Sequence, residues 1–174
     1  MTPVGNFLDE NATGRVCFLG LGNTEYGDDG FGVRLAEELI KAGVPDVIIA
    51  GTTPEHYLGR IAEEQFDDLV FLDAVECGAE AGSIVMAGSR EMAARFPQVS
   101  THKISLAVLA KLVESNGKTR VWLLGVQPGS LKPGATLTPE VQKAAKIVGG
   151  LLYHEPHGLI DSVELEHNLG VPAC

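Results

Sequence analysis

The sequence predicts an α/β protein: a three-layer α/β/α sandwich on a five-stranded, mostly parallel sheet with one antiparallel strand. Three observations predict it. Short apolar runs alternate with amphipathic runs along most of the chain. The short runs are continuous in their apolar character, as buried strands are. One strand-to-strand connection is only about seven residues long, where a parallel crossover needs about a dozen or more.

Each element follows in order. Residues 1–14 are polar and read as a loose lead-in. Arg15–Leu21 (RVCFLGL) is a buried strand. Phe31–Ala42 places Val33, Leu35, Ala36, Leu39 and Ile40 near helical spacing, and Gly43 can close that helix. Asp46–Ala50 (DVIIA) is a β-branched second strand. Pro54–Gln65 reads as a helix with Tyr57, Leu58, Ile61 and Ala62 inward, and Asp68–Val75 (DLVFLDAV) as the third strand. Ser83–Ala87 (SIVMA) is the fourth, reached by the short connection and so antiparallel to the third. Glu91–Phe96 is a short helix. Ile104–Ser115 is an amphipathic helix that Ser100 or Thr101 can cap. Arg120–Val126 (RVWLLGV) is the fifth strand. Thr138-Pro139 opens a last helix to about Leu152, with proline in its first turn. These elements make one domain over 15–152. Residues 153–174 turn polar and are broken by Pro156, Gly158, Gly170 and Pro172, so they read as a tail or peripheral strap.

Composition excludes several function classes. The 174 residues carry a formal net charge of −10, which disfavours nucleic acid, since phosphate needs clustered Lys and Arg. No stretch approaches the ~20 apolar residues of a membrane span. The N-terminus lacks the basic and apolar regions of a secretory signal. The three cysteines, Cys17, Cys77 and Cys174, form no CxxC pair, so the expected setting is a reducing cytoplasm.

The chemistry concentrates in GLGNTEYGDDGFG, residues 20–32, between the first strand and the first helix. A glycine-rich loop there suggests a phosphate cradle. The dinucleotide fingerprint fails because position 25 is Glu, and the P-loop fails because no Lys-Ser/Thr follows. Asp28 and Asp29 would also repel a pyrophosphate at the helix N-terminus. One aspartate suffices to cap a helix, so an adjacent second one asks for a cation or a hydrogen-bonding partner. In open α/β sheets, ligands sit beyond the carboxyl ends of the strands. Asp28 or Asp29 after the first strand, Asp73 near the end of the third, and His102 before the penultimate helix converge on that edge. Two carboxylates and an imidazole suit zinc, nickel or another divalent transition ion. Other candidates are weaker. His154, Glu155 and His157 have metal-like spacing, but Pro156 interrupts them in the tail. His56 is read as a surface residue, and Cys77 as a small buried one.

Together, GLGNTEYGDDGFGVRLAEEL, FLDAVECG, STHKISL and LLGVQPGSLKPGATLTPEV resemble the nickel–iron hydrogenase maturation endopeptidases, in order from about Val16 to Leu152. The resemblance implies a phosphorylase/hydrolase-like fold and an aspartic-type cytoplasmic endopeptidase, working as a monomer. It implies a partner, the hydrogenase large-subunit precursor, whose C-terminal extension is removed after nickel insertion. The nickel would come with the substrate, with no tightly bound catalytic metal, no nucleic acid and no membrane insertion. The family's nickel-contacting positions fall on Asp29, Asp73 and His102, which are also the residues available for catalysis. Asp28 would then cap or brace the loop, Asn23 would orient it, and Gly27 and Gly30 would let the backbone turn tightly. The metal would polarise the scissile carbonyl or activate a water, or else serve as a recognition tag beside a carboxylate base. The alternatives are a non-catalytic nickel-dependent chaperone or checkpoint, and a same-fold peptidase with another protein substrate. One departure stands out: the family often carries Asp-Gly-Gly-Thr after the second strand, in a loop thought to help choose the substrate. Here that stretch is Ala50-Gly51-Thr52-Thr53.

Overall fold

The structure, a computed structural model, describes residues 14–95, 105–115 and 117–153. Five strands form one sheet: β1 (Val16–Leu21), β2 (Val47–Gly51), β3 (Asp68–Ala74), β4 (Ile84–Gly88) and β5 (Arg120–Val126). Five α-helices cover it: α1 (Phe31–Lys41), α2 (Leu58–Glu64), α3 (Ser89–Arg95), α4 (Leu106–Ser115) and α5 (Pro139–Tyr153). Short 3-10 turns, Gly27–Gly30 and Pro54–Tyr57, precede α1 and α2.

The strand order is β2-β1-β3-β5-β4. β1 pairs in parallel with β2 and β3, and β3 in parallel with β5. β4 is antiparallel, as its short connection requires, but its partner is β5, with Met86 opposite Leu124. The connection from β3 steps over the end of β5 rather than turning back on β3. Backbone bonds fix that step: Val75 N–H donates to Val126 O, Gln127 N–H to Ser83 O and Gly82 N–H to Gln127 O, at 2.8 to 2.9 Å.

Alternation along each strand feeds two cores. On one face Cys17, Leu19, Phe71 and Leu123 meet Ile61 of α2, Met92 of α3 and Leu109 of α4. On the other face Phe18, Val70, Leu72 and Leu124 meet Phe31, Leu35 and Leu39 of α1 and Val141, Ala145 and Val148 of α5. Close backbone approach sets the first layer: a Cβ on Gly32 would overlap the Leu72 carbonyl, so α1 seats its first turn directly on the ends of β1 and β3. Two inward expectations fail. Ile40 is 48% exposed and Ala62 is exposed, because each lies on the shoulder of its helix, one position past the stripe that meets the sheet. The short helix also starts earlier than expected, at Ser89. None of the described helices is long and apolar enough to cross a membrane. The lead-in up to residue 13 and the tail from residue 154 lie outside the described residues.

Candidate functional site

β1 passes to β2 on one side while β3 lies on the other, so the loops after β1 and β3 diverge. Such a divergence opens a crevice beyond the carboxyl ends of the strands. Asp29 follows β1, and Asp73 is the penultimate residue of β3. Both are buried, at 4% and 1% exposure. Gly22, just after β1, joins them. Its φ is +104°, and a Cβ there would overlap the Asp29 carbonyl and stand 3.7 Å from Asp73 Oδ1. Only glycine lets the chain leave β1 between these two acids.

Asp29 Oδ2 accepts the Asn23 N–H at 2.8 Å, and Asn23 Oδ1 accepts the Glu25 N–H at 2.9 Å. Asn23 therefore folds its loop locally and presents its own amide to Asp29. Asp73 Oδ1 accepts the Ala74 N–H at 2.9 Å.

Asp28 is oriented differently. It makes no side-chain cap on the following turn. Its Oδ2 accepts the N–H groups of Gly129 and Ser130, at 2.8 and 3.0 Å, and the Thr138 hydroxyl at 2.9 Å. Its Oδ1 accepts the Thr138 N–H at 2.6 Å, and its own N–H donates to Ser130 O at 2.9 Å. A wholly buried carboxylate thus ties the 22–30 loop to the 129–138 loop. Gly27, with φ +56°, lets that contact close, since a Cβ there would press on Ser130 O. Gly30 has φ −75°, which any residue can adopt, so its turn does not require glycine; it is small because the Thr24 backbone passes against it.

His102 lies outside the described residues, as do Ser100, Thr101, His154, Glu155 and His157. Among the described residues, no group of three or more His, Cys, Asp or Glu is placed to hold a metal ion. Asp29 and Asp73 offer two carboxylates, which is less than a closed coordination shell and leaves positions for ligands from elsewhere. His56 is exposed, and Cys77 is partly buried against the core.

The sequence does not single out Gln127. It is 5% exposed and directly follows β5. Its Oε1 accepts the N–H groups of Cys77 and Gly78, at 2.8 and 3.0 Å, and its Nε2 donates to Glu76 at 2.8 Å. It anchors the loop that leaves Asp73. The available signal is a polar residue directly following an apolar run, 121–126. A hollow of about 250 Å³ opens beside Asp29, lined also by Asn23, Tyr26, Thr52 and Leu131.

Known proteins resemble this chain in sequence and fold. The family described as hydrogenase maturation protease matches residues 33–153. Hydrogenase 2 maturation protease of Escherichia coli is 32% identical over 136 residues, spanning 74% of this chain and 82% of its own. The solved structure of the nickel–iron hydrogenase maturation protease HycI of Thermococcus kodakarensis superposes with a TM-score of 0.75 at 32% identity, covering 85% of this chain and 96% of that one. The hydrogenase maturating endopeptidase HybD of Escherichia coli gives 0.68 at 27% identity, covering 79% and 89%. On the match over residues 33–153 and these relatives, the chain belongs to the hydrogenase maturation protease family and is a peptidase.

Proposed function

We propose that this peptidase removes the C-terminal extension of a nickel–iron hydrogenase large-subunit precursor, and that it acts only once nickel sits in that precursor. The observation that carries the reading is the pair of buried acids, Asp29 and Asp73, on either side of Gly22 where β1 and β3 diverge. The sequence carries no evident serine-protease or zinc-protease motif beside these two acids. The acids make a good half-shell for a metal that arrives with its other ligands. His102 joins them in this reading. The metal then belongs to the substrate, and the acids recognise it and hold the adjacent carbonyl and attacking water in place. The enzyme works as a monomer in the cytoplasm, in keeping with its three scattered cysteines.

The test mixes the protein with a large-subunit precursor, once nickel-loaded and once nickel-free, and follows the extension by mass. Only the loaded form is expected to be cut. Asp29→Asn and Asp73→Asn should each slow cutting by about 100-fold or more, the scale of losing a positioned charge at a reacting centre. Equal cutting of both precursors would refute nickel recognition. Nickel-dependent binding with no cutting would instead make the protein a checkpoint.

A further inference from the structure

The hollow beside Asp29 has two apolar walls from different loops. Tyr26 is 43% exposed and Leu131 is 40% exposed. Exposed apolar side chains scattered singly need no explanation. These two converge on one concavity next to a buried carboxylate, the composition of a ligand subsite: apolar walls with a few placed polar groups.

Both walls are held before anything binds. Tyr26 N–H donates to Asn23 O at 3.1 Å, and Tyr26 O accepts the Asp29 N–H at 3.2 Å. Leu131 follows Ser130, which Asp28 grips through both its N–H and its carbonyl. Gly134 N–H donates to Glu25 O at 2.7 Å, closing the two loops on each other. A pre-formed hollow loses little ordering entropy on binding.

The chemistry of the occupant follows from exposure and charge. Asp29 is only 4% exposed, so a group entering the hollow touches mainly Tyr26, Leu131 and Thr52. That favours an aliphatic side chain over a charged one, which would lose water against the two walls.

We propose that the Tyr26–Leu131 hollow is a side-chain subsite of the peptidase. It receives one aliphatic residue of the precursor segment that lies across Asp29 and Asp73, and Tyr26 and Leu131 determine that preference. The assignment rests on the peptidase reading above and names how that site selects its substrate.

The test is a double-mutant cycle between enzyme and substrate. Each aliphatic, lysine or arginine residue flanking the cut in a nickel-loaded large-subunit precursor is changed to serine in turn. Each precursor is offered to the wild-type protein and to Leu131→Ser, and both binding and cutting are measured. Leu131 is exposed, so its replacement should leave the melting temperature unchanged. With the wild type, one position should lower kcat/KM by about 10- to 100-fold, the range for one aliphatic group in an apolar pocket. With Leu131→Ser the same change should cost less than about threefold, because the coupled contact is already gone. Thr52→Phe, which fills the hollow, should reproduce the loss with the unaltered precursor. Cutting with no coupling at any position overturns the subsite and leaves the peptidase reading standing. Coupling only to a lysine or arginine position overturns the aliphatic assignment. Binding that shows the coupling without any cutting supports the hollow and overturns the peptidase reading. Absence of both binding and cutting overturns both.

Discussion

A carboxylate has about four lone-pair sites, and Asp28 accepts the N–H groups of Gly129, Ser130 and Thr138 and the Thr138 hydroxyl. Three of these bonds fall on Oδ2 and one on Oδ1, so both oxygens are engaged within the protein. Asp29, one residue on, turns to the other side of the loop and takes the Asn23 amide. The two adjacent acids can therefore be separated by substitution. Asp28→Asn must place an NH₂ group against a backbone N–H whichever way the amide is turned. The expected cost is roughly 2–4 kcal/mol, from one lost charged acceptor and one unsatisfied buried donor. For a chain of this size that is a fall of about 5–15 °C in melting temperature. Asp29→Asn keeps an oxygen for the Asn23 N–H, so its melting temperature should fall far less while cutting is lost. Thermal melts beside the cleavage assay check both. A melting temperature for Asp28→Asn equal to wild type would show that the 22–30 and 129–138 loops are not joined through this side chain. The double acid was visible in the sequence, but the residues alone did not divide its labour; only the family resemblance assigned Asp28 to capping or bracing the loop. Asp28's partners lie 101 to 110 residues away, so a local reading offers only a cap, which the structure does not show.

At the scale of elements, the strands were legible because burial on both faces leaves continuous apolar runs such as Leu69–Leu72. The orientation of β4 was legible too, from the length of its connection. Its neighbour was not, since strand adjacency is decided by long-range pairing with β5. Helix stripes were read to within one position: Leu35 and Leu39 are buried while Ile40 is not. The two edges of the sheet also differ in a way composition hides. The carboxyl edge holds the candidate site, whereas the amino edge is laced with ion pairs. Arg15 bonds Asp46 and Glu64, at 3.0 and 2.9 Å, and stacks over Phe66. Lys118 meets Asp67 at 2.9 Å, and Arg120 meets the buried Asp68 at 2.7 Å. The Arg15 N–H donating to Asp67, with help from Lys118, holds the Asp67 carboxyl below its ordinary value of 3.8. A depressed carboxyl stabilises the fold above its unfolded pKa, and that contribution is lost as pH falls through the lower folded value. The melting temperature of Asp67→Asn should therefore lie below wild type near pH 6, with the two curves converging below about pH 3. Parallel curves across that range would show that Asp67 adds nothing pH-dependent. Because this edge is remote from Asp29 and Asp73, cutting at neutral pH should be unaffected.

Across the whole molecule, both helical layers close within the described residues. α5 buries Val141, Ala144, Ala145 and Val148 against α1, and Leu152 still packs on that core one residue before the helix ends at Tyr153. On the opposite face, α2, α3 and α4 cover the second core. Among the described residues a groove of about 310 Å³ lies between α2 and α4, lined in part by Leu58, Ala62, Leu112 and Val113. Leu112 is 49% exposed, and so is Val108 one turn earlier on the same helix. Residues 154–174 contain Leu159, Ile160 and Val163 but no sustained helical or strand periodicity. Few periodic apolar positions give such a segment little to pack with, so a chain ending at Glu155 should melt within about 2 °C of the full chain, less than 1 kcal/mol at this size. The same truncated chain should cut the nickel-loaded precursor at the full rate, since Asp28 already fixes the site loops from within the described fold. Differential scanning calorimetry of both chains, with the cleavage assay alongside, tests the two statements separately. A fall of more than about 5 °C would show that the removed residues contribute packing, and the α2–α4 groove is where Leu159, Ile160 or Val163 would find uncovered apolar surface. An unchanged melting temperature with slower cutting would assign the tail to substrate contact instead, because a stability role and a binding role move different measurements.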